Sequence, residues 1–342
     1  MTIDFDLSKI KITPILETLQ LEDISDSEYF SERYKEYISN SRLGLLKKEG
    51  VKAFFEGIKS SYNSSFELGS LIHEIVLQPE VFEVIKGVFK PTAKAGLMAD
   101  YLYKPNGIMP SDDEIKAASY IIGYYKDKLT TNRLKEFKQK AEPYWRDRFI
   151  YEQNNPFKEG DKERIYTNEG NYNLLVSCLN SLNENKEIQN LLHPTGVLED
   201  PYVACERAIL LDIKAEIEGY EPRIFKLKAK LDNFSLDKEE NLITVNDLKT
   251  TSRPAVEFDP TYYSYQREIA SYTWLLKMCA KKFFNMENSR INGNFLVVST
   301  IPEYNSLVYP MTSKLFMTGW KEYLHLLRVV IYFSIIKGYE FK

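Results

Sequence analysis

The chemistry most readily assembled from this sequence rests on two aspartates and a lysine. Asp247 and Lys249 stand two apart in ITVNDLKTT, and Asp232 closes the lysine-rich run KLKAKLD 15 residues before Asp247. Side chains alternate along a strand, so Asp247 and Lys249 share one face and Leu248 takes the other. By the same rule Lys226, Lys228, Lys230 and Asp232 share a face, opposite Leu227, Ala229 and Leu231. Acids on neighbouring strands with an ammonium beside them suit a hard cation such as Mg2+, which prefers carboxylate oxygens and keeps waters able to attack a phosphate. Two such ions clamp the attacking and leaving oxygens of an in-line displacement. The lysine orients the water and offsets charge on the phosphoryl oxygens. The same D-x-K pattern is also common on solvated strands, so the pattern alone does not choose between the two.

Other residues gain interest from their places. His73 sits in an otherwise aliphatic helical segment, LGSLIHEIVLQPEVF. Glu206, in CERAI, lies on the strand preceding that of Asp232. Gln266 and Tyr272 lie in a helix after Asp247, behind the cluster Tyr262, Tyr263 and Tyr265. His193 and His325 look structural. No HExxH, GxSxG, P-loop or GxGxxG is present, which argues against zinc proteases, serine hydrolases and nucleotide-dependent classes.

The elements that must position these residues follow from pattern. Among 342 residues there are 45 Lys+Arg against 49 Asp+Glu, a formal net charge of −4. That excludes nucleic-acid binding by bulk positive charge and confines any such contact to a local groove. Three separated cysteines without a CxxC pair encode no zinc ribbon and suit a reducing cytosol. The N-terminus is acidic where a signal peptide is basic and apolar, and no run is apolar enough to span a bilayer, so a cytoplasmic protein is expected. Residues 1–36 read as a partly ordered leader. A helix capped by Ser39 or Ser41 is expected over 37–55, and a second, buried on one face, over 68–82 until Pro79. Residues 111–129 and 171–194 read as helical, with Pro194 ending the latter, and 153–166 as a loop. From 202 the texture turns to strands at 202–213, 222–237 and 241–251, then a helix over 264–284, strands at 293–303 and 306–312, and a last helix over 313–336. The fold class is α/β: a mixed central sheet flanked by helices, with a helical N-terminal half.

In order and spacing these motifs resemble the PD-(D/E)XK nuclease superfamily, specifically the phage and prophage RecE (exonuclease VIII) type. YISNSRLGLL and FELGSLIHEIVLQPEVF resemble its opening, with Gly69 and His73 at the Gly-x-x-x-His places. CERAI, KAKLD, DLKTT and YSYQREIASY follow in its order, and the likeness runs over roughly residues 36–335. One departure is that Gln266 and Tyr272 are six apart where the family has Q-x-x-x-Y. The resemblance implies a restriction-endonuclease-like core as one domain over 37–342, with a helical insertion at about 83–195. It implies that Asp232, Asp247 and the carbonyl of Leu248 bind Mg2+ or Mn2+, that His73 completes a second metal position, and that Glu206 binds metal directly or through water. Lys249 would orient water, and Gln266 and Tyr272 would steady Lys249 or a phosphate. The activity implied is an exodeoxyribonuclease acting on double-stranded DNA ends in phage-type recombination, as a ring-shaped homo-oligomer with a single-strand annealing partner.

Two rival readings remain open here. One is a RecB-like repair or structure-specific endonuclease of the same superfamily. The other is a non-catalytic DNA-end-binding or phage assembly protein, against which the intact acid and lysine set argues. Two lysine stripes are candidates for phosphate contact: Lys226, Lys228 and Lys230, and the set Lys135, Lys138, Lys140, Arg146 and Arg148.

Overall fold

The computed structural model describes residues 5–56, 64–124, 129–193 and 202–341. In chain order the elements are β1 (Lys11–Glu22), α1 (Asp26–Tyr29), α2 (Asn40–Glu49), α3 (Val51–Glu56), α4 (Ser64–Leu77), β2 (Phe82–Val84), α5 (Ala93–Leu102), α6 (Asp112–Ile122) and α7 (Thr131–Asn154). There follow β3 (Glu163–Ile165), α8 (Glu169–Glu184), α9 (Lys186–Leu192), β4 (Tyr202–Glu216), β5 (Arg223–Asp237), β6 (Leu242–Thr251), α10 (Tyr265–Phe284), β7 (Arg290–Ser299), β8 (Ser306–Pro310) and α11 (Ser313–Ile335). Pro194, residues 60–63 of the polar stretch 60–67 and residues 125–128 of the expected helix over 111–129 lie outside the described residues. The chain divides into two compact units, residues 1–60 with 181–342, and residues 61–180.

The first unit is built on a six-stranded sheet of order β1-β4-β5-β6-β7-β8. Its neighbours are antiparallel except β6 and β7, which run parallel. A parallel pair needs a crossover, and α10 supplies it. Leu211, Leu231, Phe234 and Val245 of the sheet share one core with Leu43 of α2, Phe54 and Phe55 of α3, Leu276 and Cys279 of α10, and Leu327 and Val330 of α11. Full burial of each large apolar side chain is worth roughly 1.5–3 kcal/mol, which is what holds the helices on the sheet. Ser39 caps α2 by accepting the Arg42 N–H at 3.2 Å. The expected helix over 37–55 is broken at Gly50, whose φ of +89° suits glycine.

The leader holds a finding that pattern alone did not give. Lys11–Glu22 is a strand, paired antiparallel with β4 from Lys11↔Glu216 to Glu22↔Ala208. It is an edge strand, exposed or half-exposed everywhere but Leu19, with a register shift between Ile15 and Gln20, and it contains Pro14, which an edge tolerates. Its alternation is therefore weak.

The second unit is mainly helical, with one two-stranded parallel ladder of β2 and β3. Met98, Ile115, Phe137, Tyr144 and Trp145 form its core. Here α4 ends before Pro79 as expected, and His73 lies on it, half-buried. The region read as a loop over 153–166 begins only after α7 has run 24 residues. No helix among the described residues is long and apolar enough to cross a membrane.

Candidate active site

A fork in the sheet creates the site. β5 and β6 pair from Asp237↔Leu242 to Asn233↔Asn246 and then part, β5 continuing with β4 and β6 with β7. Asp232 and Asp247 are the next residues beyond the last shared rung. Where strands part, backbone donors lose their ladder partner and need another. Asp232 provides one: its Oδ2 accepts the Leu248 N–H at 2.7 Å.

Glu206 stands across β4 from Asp232, between the rungs Cys205↔Asn233 and Arg207↔Leu231. Its φ is +53°, in the middle of a strand. A non-glycine residue held there costs on the order of 1–3 kcal/mol, a strain found mostly where function requires it. Carboxylate oxygens of Glu206 and Asp232 lie within 4.8 Å of each other. Lys230 reaches Glu206 at 3.0 Å and also pairs with Asp26.

On β6, Asp247 and Lys249 share a face, as alternation requires, and α10 covers it. The Lys249 ammonium lies 2.5 Å from Asp247 Oδ2 and 3.3 Å from Glu268. Tyr272 donates its hydroxyl to Glu268 at 2.9 Å. The ring of Tyr265 sits 5.0 Å from the same ammonium. Tyr265, Glu268 and Tyr272 fall at i, i+3 and i+7, one face of a helix. Behind them Arg267 bonds Glu322 at 2.9 Å and Asn40 at 2.7 Å, tying α10 to α11 and α2.

Three acids thus crowd one lysine. Burial raises the Asp247 carboxyl well above its ordinary range; Lys249 opposes this, while Glu268 and Asp232 reinforce it. Asp247 is 1% exposed, and the cation beside it is the Lys249 ammonium, 2.5 Å from its Oδ2. Burial by itself lowers Lys249, but Asp247, Glu268 and Asp232 outweigh it and hold the ammonium charged. Glu268, though buried, is held below its ordinary value by Lys249, Tyr272 and Arg267. Glu206 is pushed up to about 7, by burial first and by Asp232 second. Buried carboxylates are kept only when paired or coordinating a metal. Asp232 and Glu206, with carboxylate oxygens within 4.8 Å of each other, and Asp247 next to them at the fork are the residues that could hold a hard cation.

The fork gathers Asp232, Asp247, Leu248, Lys249 and Glu206. Tyr272 joins them through Glu268. Gln266 does not: its Nε2 donates to Glu322 at 3.4 Å, and among the described residues its buried Oε1 has no partner and no bond links it to Lys249. A residue two positions before Glu268 lies about 200° around the helix, so it turns toward α11 instead. Glu268 is the residue that sequence reasoning missed. Its signal was E-x-x-x-Y, the spacing that the Gln266–Tyr272 pairing lacked. His73 belongs to the second unit.

Both lysine stripes lose members. Lys228 is buried, its Nζ donating to the Tyr29 carbonyl at 2.6 Å and lying 4.2 Å from the Tyr29 ring. Lys230 is committed to Glu206 and Asp26, and of that stripe Lys226 is exposed. On α7, Lys138 pairs with Asp112, and Arg148 is enclosed by Asp100, Glu152 and the rings of Tyr103 and Tyr166. Lys135, Lys140 and Arg146 remain exposed.

No family model and no curated protein sequence matches the chain. Among solved structures it is similar to a crystal structure named "Putative exonuclease" from Eubacterium rectale. That match is 12% identical with a TM-score of 0.39, and covers 91% of this chain and 86% of that chain.

Proposed function

We propose that the chain is a metal-dependent deoxyribonuclease of the PD-(D/E)XK type, acting on a strand of double-stranded DNA from its end. The observation that carries the reading is the fork itself, where Glu206 and Asp232 bring carboxylate oxygens within 4.8 Å of each other beside the buried Asp247 and a lysine held cationic. Asp232, Asp247, the carbonyl of Leu248 and Glu206 are the residues that would hold Mg2+ or Mn2+. When bound, the cation supplies a water acidic enough to attack and neutralises charge on the phosphate. Lys249, clamped between Asp247 and Glu268, keeps its proton at neutral pH. It therefore acts as a donor and a charge, orienting the water and stabilising the phosphoryl oxygens, and not as the base. Tyr272 fixes Glu268, and Glu268 fixes Lys249. The water oxygen bonds to phosphorus as its proton passes to solvent, the bond to the 3′ oxygen breaks, that oxygen takes a proton from solvent, and a 5′-phosphorylated nucleotide leaves. His73 would complete a second metal position; a ring-shaped oligomer, an annealing partner and a place in phage-type recombination rest on the sequence resemblance alone, and a cytoplasmic setting rests on the composition.

The test is degradation of end-labelled linear duplex DNA with Mg2+ or Mn2+, beside Lys249→Ala. The expected result is metal-dependent shortening that the variant loses by a hundredfold or more, the size typical of removing one transition-state donor, about 10²–10³. No degradation with either metal would overturn the reading. Cleavage of closed circular DNA would favour an endonuclease of the same type instead.

A further inference from the structure

The loop from β6 to α10 carries a feature that the hydrolytic centre does not use. Tyr262 and Tyr263 are each 67% exposed, side by side, their rings 4.6 Å apart at 85° to each other. Single surface aromatics need no explanation, but this pair is the end of a continuous run. Tyr263 lies 5.5 Å from Tyr265, and Tyr265 lies 5.0 Å from the Lys249 ammonium. At the outer end the Arg253 guanidinium lies 5.9 Å from the Tyr262 ring. The pair is held in place from within: Ser264, next along the chain, adopts φ +60° and its Oγ accepts from Lys47 at 2.8 Å.

We infer that Tyr262 and Tyr263 form a corner that receives one unpaired base of the DNA strand, adjoining the phosphate presented to Lys249. The inference rests on the nuclease reading and adds a substrate preference to it. Three observations choose a base as the occupant. The rings continue directly from the residue assigned to the phosphate. A cation, Arg253, flanks them at the outer end, where it can pair with a phosphate of the same strand. Two perpendicular rings offer one face and one edge, enough for a single flat base and not for a stacked pair. Every base has a π-face, so the contact tolerates any sequence, but it requires a base released from its partner. Ends with an unpaired terminal nucleotide are therefore bound more tightly than fully paired ends.

The experiment places 2-aminopurine at the terminal position of one strand and follows its fluorescence with the intact chain, in chelator so that nothing is cut. Tyr262→Ala/Tyr263→Ala is compared with Tyr262→Phe/Tyr263→Phe. Stacking is worth about 1–3 kcal/mol per base, or roughly five- to hundredfold in affinity. The expected result is quenching in the wild type and the Phe pair, with Kd weakened by that factor in the Ala pair. In cleavage assays the Ala pair should raise KM with kcat within about twofold. Equal binding by the Ala pair, or loss in the Phe pair as large as in the Ala pair, would overturn the inference. So would a smaller assembly on light scattering for the Ala pair, which would make this face a subunit contact. Quenching without cleavage in metal would leave the corner standing and remove the nuclease reading, and cleavage without quenching would do the reverse.

Discussion

Replacing Asp247 by asparagine should stabilise the metal-free chain, and the gain should grow with pH. The wild-type carboxyl is fully buried, and burial, reinforced by Glu268 and Asp232, outweighs the opposing Lys249 ammonium, so its folded pKa is well above 3.8. Between the unfolded value and the raised folded value, the native state keeps a proton that the unfolded chain has released. Stability then falls as pH rises through that window, by up to about 1.4 kcal/mol per pH unit. Asparagine has no such slope. It also keeps the shape of the side chain and leaves Lys249 paired with Glu268 at 3.3 Å. Urea denaturation in EDTA at pH 5, 6 and 7 measures the difference directly. Metal reverses the order. A divalent cation at a hundred times its Kd adds about 2.7 kcal/mol to the form that binds it, so the wild type should gain with Mg2+ and the variant should not. A variant less stable than the wild type at pH 7 in EDTA would refute the reasoning. An identical Mg2+ shift in both proteins would refute the assignment of Asp247 to the metal.

Three further outcomes follow from the same geometry. Tyr272→Phe removes the 2.9 Å bond to Glu268, and hydrogen bonds to charged groups contribute about 1.5–3 kcal/mol; steady-state kinetics should show kcat down by roughly tenfold or more with KM little changed, and an unchanged kcat would deny Glu268 its positioning role. Gly319→Ala would put a Cβ 2.1 Å from the Gln266 carbonyl oxygen, forcing α11 away from α10; overpacking of this kind costs about 1–3 kcal/mol, and a thermal midpoint equal to wild type would contradict the close approach. Lys228 is depressed to about 8, by burial first and Arg42 second. Its unfolded form holds a proton that the native form has lost between about pH 8 and 10.5, so wild-type stability should rise relative to Lys228→Met across that window, and parallel denaturation curves would show the amine is not desolvated.

Much of the first unit was legible because its strands alternate strongly. β5, β6, α10 and α11 lie within a residue or two of where pattern puts them, since each is an apolar-rich segment bounded by polar turns. β1 was not legible: an edge strand buries little, and its acids and Pro14 read as a leader. The basic stripe on β5 was half legible. Alternation put Lys228 and Lys230 on one face, but only the fold lays Tyr29 and Tyr34 over Lys228.

The candidate site divides in the same way. The residue types Asp232, Asp247 and Lys249 and their shared faces come from the chain itself, because a two-residue period needs no tertiary information. That β5 and β6 part immediately beyond Asn233 and Asn246, leaving two carboxylates at the fork and the Leu248 N–H to be satisfied by one of them, is decided by how β4 and β7 compete for those strands. The strained backbone of Glu206 and the choice of Glu268 over Gln266 were likewise set by packing. Spacing fixes which residues share a helix face, and only the docking of α10 against β6 and α11 fixes which face meets Lys249.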